Sequence, residues 1–173
     1  MLLSILTSVP LYVRWLSFDQ QMGRQVLKSA ASVGVPVTFG VAAMVSLAMV
    51  MDHSGMTQAL AVAISAAVGP TYPLLSGFVG MLGAFTTGSN TNSNVLFGPL
   101  QLQMSRLLSL NGVWLLAAQT AGGALGSMVA PAKLVVGCAM VGLAGQDGRV
   151  LRRTAPYGLL LALMVGAIAW LLA

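Results

Sequence analysis

The chain has 173 residues, of which 57% are hydrophobic and only 6% are charged. Since an ordinary soluble domain carries about a quarter charged residues, this composition excludes a water-soluble globular protein and indicates an integral membrane protein. The 8 basic residues outnumber the 3 acidic ones, but they stand in short clusters between uncharged stretches. That pattern is the positive-inside distribution of membrane proteins, so no nucleic-acid partner is expected.

Residues 1–28 are expected to form a partial apolar segment followed by a basic segment on the cytoplasmic surface. Met1 to Pro10 is apolar but has no leading positive region, so we predict no cleavable signal; it could be the tail of a membrane helix. Arg14, Arg24 and Lys28 stand near aromatic residues, as is typical of a surface segment. A membrane domain is predicted over residues 29–173.

The stretch from Ser29 to Met51 contains no charged residue and is the clearest spanning helix, because about 20 residues cross the hydrocarbon core. Thr154 to Ala173 is predicted to be the last such helix. Both neighbouring basic segments, 14–28 and 149–153, are expected to face the cytoplasm. The first helix then ends outside at Asp52 and His53, and Ala173 also lies outside.

The chain from Ser54 to Ser105 is uncharged but interrupted by prolines and by a polar run, residues 88–94. Irregular backbone at membrane depth is tolerated only where protein buries it or water lines it, so we predict a re-entrant hairpin with a non-helical tip over Ser89 to Asn94. Gly77, Gly80 and Gly83 would lie on one face of its first arm and allow close helix packing.

A second interrupted segment follows, rich in small and polar residues from Asn111 to Pro131. We predict a broken helix with halves at roughly Gly112 to Ala121 and Lys133 to Ala144, joined by an unwound segment. The fold class expected is thus an all-α integral membrane protein with transmembrane helices, a re-entrant hairpin and a broken helix.

The polar run carries the candidate substrate-binding residues. A small anion at mid-membrane needs hydrogen-bond donors in place of its water shell, and hydroxyls, amides and the amino ends of half-helices supply them. The same oxygens could ligate sodium, and an ordinary exposed loop is the structural alternative. The candidates are Thr87, Ser89, Asn90, Thr91, Asn92, Ser93 and Asn94 from the hairpin, with Gly122, Gly123 and Lys133 from the broken helix.

Three segments give the chain a family resemblance. The run from Phe78 to Phe97, preceded by Ser54-Gly55-Met56-Thr57, is similar to the signature of the L-lactate permease family. Gln119-Thr120-Ala121-Gly122-Gly123 with Met128-Val129-Ala130-Pro131 is a second match, and Cys138-Ala139 with Val141-Gly142-Leu143-Ala144-Gly145 is a third. They follow in family order, and the chain resembles roughly the last third of such a permease.

The resemblance implies secondary active transport of L-lactate or a related 2-hydroxymonocarboxylate such as glycolate, by proton symport across a bacterial inner membrane. It implies a multi-pass protein, half of an inverted-repeat transporter, whose partners are the carboxylate substrate, a proton, the lipid bilayer and the missing N-terminal part. Ser89-Asn90-Thr91 matches the Ser-Asn-Thr hairpin tips of the wider group of ion transporters that the chain resembles. Where many members have a lysine after the glycine pair, this chain has Ser127, and its lysine stands at Lys133.

Two alternatives stay open beside proton symport: a sodium-coupled carboxylate transporter, and an inactive membrane fragment that needs the missing part. An enzyme is not expected, because there is no metal-ligand cluster and His53 is the only histidine. No cofactor is expected either.

Asp52 and His53 are interpreted as a solvated helix end, with a proton relay as the functional alternative. Cys138 is interpreted as a small packed residue.

Overall fold

The structure is a computed structural model that describes residues 20–173. Seven α-helices and one 3-10 turn make up this part of the chain, and it contains no strand. The expectations for residues 1–19, including the apolar start and Arg14, fall outside the described residues. The helices are α1 (Gln20–His53), α2 (Met56–Val68), α3 (Pro73–Thr87), α4 (Asn90–Leu107), α5 (Gly112–Met128), α6 (Pro131–Met140) and α7 (Asp147–Leu172), with the 3-10 turn at Gly69–Thr71.

Within residues 20–173, two helices are long and apolar enough to cross a membrane, over Gly34–His53 and Asp147–Leu172. The pair α5 and α6, bent by 44° at its break, would count as a third span if taken together. The predicted helices at Ser29 to Met51 and Thr154 to Ala173 lie in α1 and α7. The chain divides into two compact units at Ala42 and Ala43, and helices α2 to α7 belong to the second.

Helix α3 is the centre of the second unit, and it packs against α4, α5 and α7. Glycines make these contacts close. A Cβ atom at Gly122 would meet the carbonyl oxygen of Gly77, and one at Gly126 would meet that of Met81. Likewise, a Cβ atom at Gly166 of α7 would meet the carbonyl oxygen of Leu74. The small residues thus bring backbone against backbone, as small residues do between membrane helices.

The tip of the hairpin differs from the sequence prediction. The predicted non-helical run Ser89 to Asn94 is wrong for its last five residues, because α4 begins at Asn90 and continues through Asn94. Gly88, with φ 71°, ends α3, and Ser89 in extended conformation caps α4 by accepting a hydrogen bond from the amide of Asn92 at 3.3 Å. Asn and Ser favour caps and turns, but the first turn of a helix also accommodates them.

The broken helix also differs in extent. The predicted unwound segment covered Gly122 and Gly123, but α5 continues through both of them to Met128. The break is confined to Val129 and Ala130, since Pro131 disfavours a helical conformation in the residue before it and begins α6. The second half ends at Met140, before the predicted Ala144. The glycines are kept helical by their packing on α3.

Candidate functional site

The hydroxyl groups of the polar run hold the hairpin together. The Thr87 hydroxyl lies 2.7 Å from the carbonyl oxygen of Gly83, and it accepts a hydrogen bond from the amide of Ser89 at 3.3 Å. The Ser93 hydroxyl donates to the carbonyl oxygen of Gly80 across the hairpin at 2.8 Å. Three of the predicted binding residues, Thr87, Ser89 and Ser93, therefore use their side chains to build the tip.

The asparagines of the run are different. In the described part of the chain, the side-chain oxygens of Asn90, Asn92 and Asn94 are buried and have no hydrogen-bond partner. A buried polar atom without a partner costs about 1–3 kcal/mol, so such atoms are rare and need an explanation. Thr91, between them, is exposed. The side-chain oxygens of these three asparagines can therefore still accept a hydrogen bond or bind a cation.

Asn90 brings the hairpin tip to the glycine pair of α5. A Cβ atom at Gly123 would meet the side-chain oxygen of Asn90, with the carbonyl oxygen of Gly80 at 3.6 Å. Its neighbour Gly122 lies against Gly77 of α3. The hairpin and the broken helix, which supply the candidate residues, therefore meet at this point.

Lys133 reaches back across the break between α5 and α6. Its ammonium group donates a hydrogen bond to the hydroxyl of Ser127 at 3.2 Å. Ser127 stands four residues after Gly123 on α5, so the two share one helix face about one turn apart. The cation therefore lies at the level of the last turn of α5, on the same side as the contact with Asn90.

Below the tip, four buried side chains form a hydrogen-bond chain that sequence reasoning missed. The Tyr72 hydroxyl donates to Gln101 at 2.9 Å, the Gln101 amide donates to Gln119 at 2.9 Å, and the Gln119 amide donates to the Ser93 hydroxyl at 3.1 Å. None of the four is more than 1% exposed. The available signal was a pair of glutamines inside apolar helices, where an amide must find a partner.

The remaining candidates stand elsewhere. Asp52 and His53 are exposed and line a cavity of about 300 Å³ together with Val95 and Pro99 of α4. Cys138 is buried and 5% exposed, in agreement with the packing role expected for it. No group of three or more His, Cys, Asp or Glu side chains that could hold a metal ion occurs within residues 20–173.

Comparisons with known proteins agree with the resemblance carried by the three sequence segments. The family model for L-lactate permease matches residues 1–173. The L-lactate permease of Salmonella typhi is 33% identical over 169 residues, which are 97% of this chain and 30% of that protein. The glycolate permease GlcA of Escherichia coli is 38% identical over 126 residues, 73% of this chain and 22% of that protein.

The L-lactate permease of Bacillus subtilis is 37% identical over 131 residues, 76% of this chain and 23% of that protein. The chain thus spans less than a third of the length of these curated relatives. No solved structure gives a significant match.

Proposed function

The chain belongs to the L-lactate permease family, and we propose that it forms part of a transporter for L-lactate or a related 2-hydroxymonocarboxylate such as glycolate. The relatives are named for those two substrates. Since the chain spans less than a third of their length, the rest of the substrate path would come from the remaining part of the transporter. The proposed location is the bacterial inner membrane.

The observation that carries this proposal is the contact between Asn90 and Gly123. It joins the first turn of α4 to the glycine pair of α5, and it leaves the amide oxygen of Asn90 without a hydrogen-bond partner. A transporter that moves between states needs polar groups that change partners at the site where its substrate binds. Asn90, Asn92 and Asn94 meet that requirement, and the substrate role is assigned to them first.

A carboxylate would be held here by two kinds of donor. The first two amide N–H groups of α4, those of Asn90 and Thr91, have no acceptor within the helix, and the positive end of the helix dipole favours an anion. The ammonium of Lys133 adds a full charge near the last turn of α5. Thr87, Ser89 and Ser93 would then shape the site, and Gly122 and Gly123 would let the helices approach. The exposed Thr91 stays in the proposed site as a neighbour of Asn90.

The re-entrant arrangement is supported by helix length. Helix α3 has 15 residues, which correspond to about 22 Å, whereas the hydrocarbon core is about 30 Å thick. A helix of this length that ends in a polar turn fits a hairpin that enters and leaves on one side. A matching hairpin from the other half of an inverted repeat would form the opposite wall of the site.

Proton symport is the proposed coupling, with sodium as the alternative that one observation favours. Amide oxygens without partners are suitable ligands for a hard cation, and three of them stand in the first two turns of α4. Asp52 and His53 line the cavity beside α4 and are the candidates for a proton relay.

Uptake of labelled L-lactate and glycolate tests the function. Cells would express the chain alone, or the chain fused to the part of a relative that it lacks, with a proton or a sodium gradient imposed. We expect uptake by the fusion, driven by the proton gradient. Uptake driven by the sodium gradient would show that the transporter is coupled to sodium and not to protons. Uptake by the chain alone would show that the remaining part of the transporter is not needed. No uptake by either protein would contradict the proposal.

A further inference from the structure

We infer that Gln119 is a positioning residue, which fixes the first turn of α4 so that Asn90 faces Gly123. The expected effect of Gln119 on substrate binding rests on the proposed function, which we call the substrate aspect. The placement of α4 against α5, the positional aspect, does not rest on it. Gln119 forms no hydrogen bond with the side-chain oxygens of Asn90, Asn92 and Asn94, to which the substrate role is assigned first. It would act through Ser93, which stands one helical turn after Asn90 on the same side of α4.

Gln119 uses both ends of its amide group. Its oxygen accepts from Gln101 at 2.9 Å, and its nitrogen donates to the hydroxyl of Ser93 at 3.1 Å and to the carbonyl oxygen of Ser93 at 3.3 Å. One side chain of α5 is thus bonded at two places along α4, at Ser93, three residues after the first residue of α4, and at Gln101. Two such attachments fix both the rotation and the axial position of α4 against α5.

The attachments have no substitute from solvent. Gln101 and Ser93 are fully buried and Gln119 is 1% exposed, so water cannot replace a lost bond. The Ser93 hydroxyl passes the constraint to α3, because it donates to the carbonyl oxygen of Gly80. Gly80 itself is packed so closely on Gln119 that a Cβ atom there would meet the Gln119 carbonyl oxygen. The three helices are therefore registered at one level, directly below Asn90.

Between Ser93 and the tip turn, the side-chain oxygens of Asn92 and Asn90 have no hydrogen-bond partner. The direction of Asn90 is consequently set by the bonded layer beneath it and not by a bond of its own.

Cross-linking in membranes tests the positional aspect without any transport. The pair Asn90→Cys and Gly123→Cys would be placed in the full chain with the native thiol removed by Cys138→Ala. We expect efficient cross-linking, and a rate lower by at least about fivefold when Gln119→Met is added, because the loss of even one net hydrogen bond corresponds to about that factor. Thr120→Val is the matched control, because Thr120 is the exposed neighbour of Gln119 on α5; it should leave the rate unchanged.

An unchanged rate with Gln119→Met would overturn the inference. If that variant fails to accumulate in the membrane, Ser93→Ala replaces it, because it removes the hydroxyl that Gln119 reaches at 3.1 Å and leaves only the longer bond, at 3.3 Å, to the carbonyl oxygen of Ser93. An unchanged rate with Ser93→Ala would overturn the inference equally.

The substrate aspect is read from kinetics in the transporting fusion. A positioning residue should raise the KM for L-lactate while the maximal rate per inserted protein stays near the parent value, whereas a residue needed only for folding would lower the maximal rate. A lower cross-linking rate with an unchanged KM would keep the positional role and contradict the substrate role of Asn90. A lower maximal rate with unchanged KM and cross-linking would overturn the inference itself.

Discussion

The side chain of Asn90 occupies the space that a Cβ atom at Gly123 would need. This relationship joins the hairpin tip to α5 through a direct side-chain contact. The two glycines of the pair also differ in what they contact. Gly122 packs against the backbone of Gly77, whereas Gly123 packs against the end of the Asn90 side chain.

Gly122→Ala is expected to destabilise the protein. The added methyl group would overlap the carbonyl oxygen of Gly77, and helix backbone cannot move aside cheaply; overpacking of this kind costs about 1–3 kcal/mol. Thermal unfolding of the detergent-solubilised protein should show a lower midpoint. Gly137→Ala is the control, because nothing lies within 4 Å of its Cβ position and alanine favours a helix. Equal midpoints for the two variants would argue against the close packing of α3 and α5.

Gly123→Ala should spare stability and reduce transport. The atom in the way is the end of the Asn90 side chain, which can rotate, and the next neighbour, the carbonyl oxygen of Gly80, stands at an ordinary 3.6 Å. In the fusion we expect normal amounts of inserted protein and clearly slower uptake of labelled L-lactate. Parent-like uptake by a normally inserted Gly123→Ala protein would show that the placement of Asn90 does not matter.

The sequence predicted the helices better than their breaks. Uncharged stretches bounded by basic clusters located α1 and α7, and the polar run marked the turn between α3 and α4. The non-helical lengths were overestimated because Asn and Gly were weighed by their local preferences. In the structure Ser89 caps a helix that the asparagines continue, and Gly122 is helical because α3 packs against it.

The site was predictable in its location but not in its division of roles. The seven polar candidates of the hairpin look equivalent in the sequence, and only the fold shows that the Ser93 hydroxyl bonds Gly80 while the Asn90 oxygen bonds nothing. The approach of Lys133 to Ser127 likewise depends on the bend between α5 and α6. Lys133 stands six residues after Ser127, the position at which many family members have a lysine. The bend nevertheless brings the Lys133 side chain to the end of α5.

Lys133→Met should weaken substrate binding. Methionine keeps much of the length of the side chain but removes the charge that lies 3.2 Å from Ser127, and a hydrogen bond to a charged group contributes about 1.5–3 kcal/mol. We expect the KM for L-lactate to rise by about tenfold or more, with Lys133→Arg closer to the parent. Arg106→Met, at the exposed end of α4, serves as the control. If loss of the Lys133 charge left the KM unchanged, the Lys133 ammonium group would have no role in substrate binding and would be assigned to the membrane surface.

The orientation prediction rests on the basic cluster Arg149, Arg152 and Arg153 at the start of α7. Single cysteines at positions 149 and 173, in a Cys138→Ala background, would be treated with a membrane-impermeant reagent on intact cells. Position 173 should react and position 149 should be protected until the membrane is opened. The reverse pattern would invert the proposed topology.

Uptake by Asn90→Ala protein tests the central claim most directly. In the transporting fusion, with uptake of labelled L-lactate normalised to inserted protein, we predict a loss of about tenfold or more, since 1.4 kcal/mol corresponds to a tenfold change. Thr71→Ala should behave like the parent, because its exposed hydroxyl bonds only the carbonyl oxygen of Val68. If the Asn90→Ala protein carried L-lactate with unchanged kinetics, the hairpin tip would be purely structural and its assignment as the substrate site would be wrong.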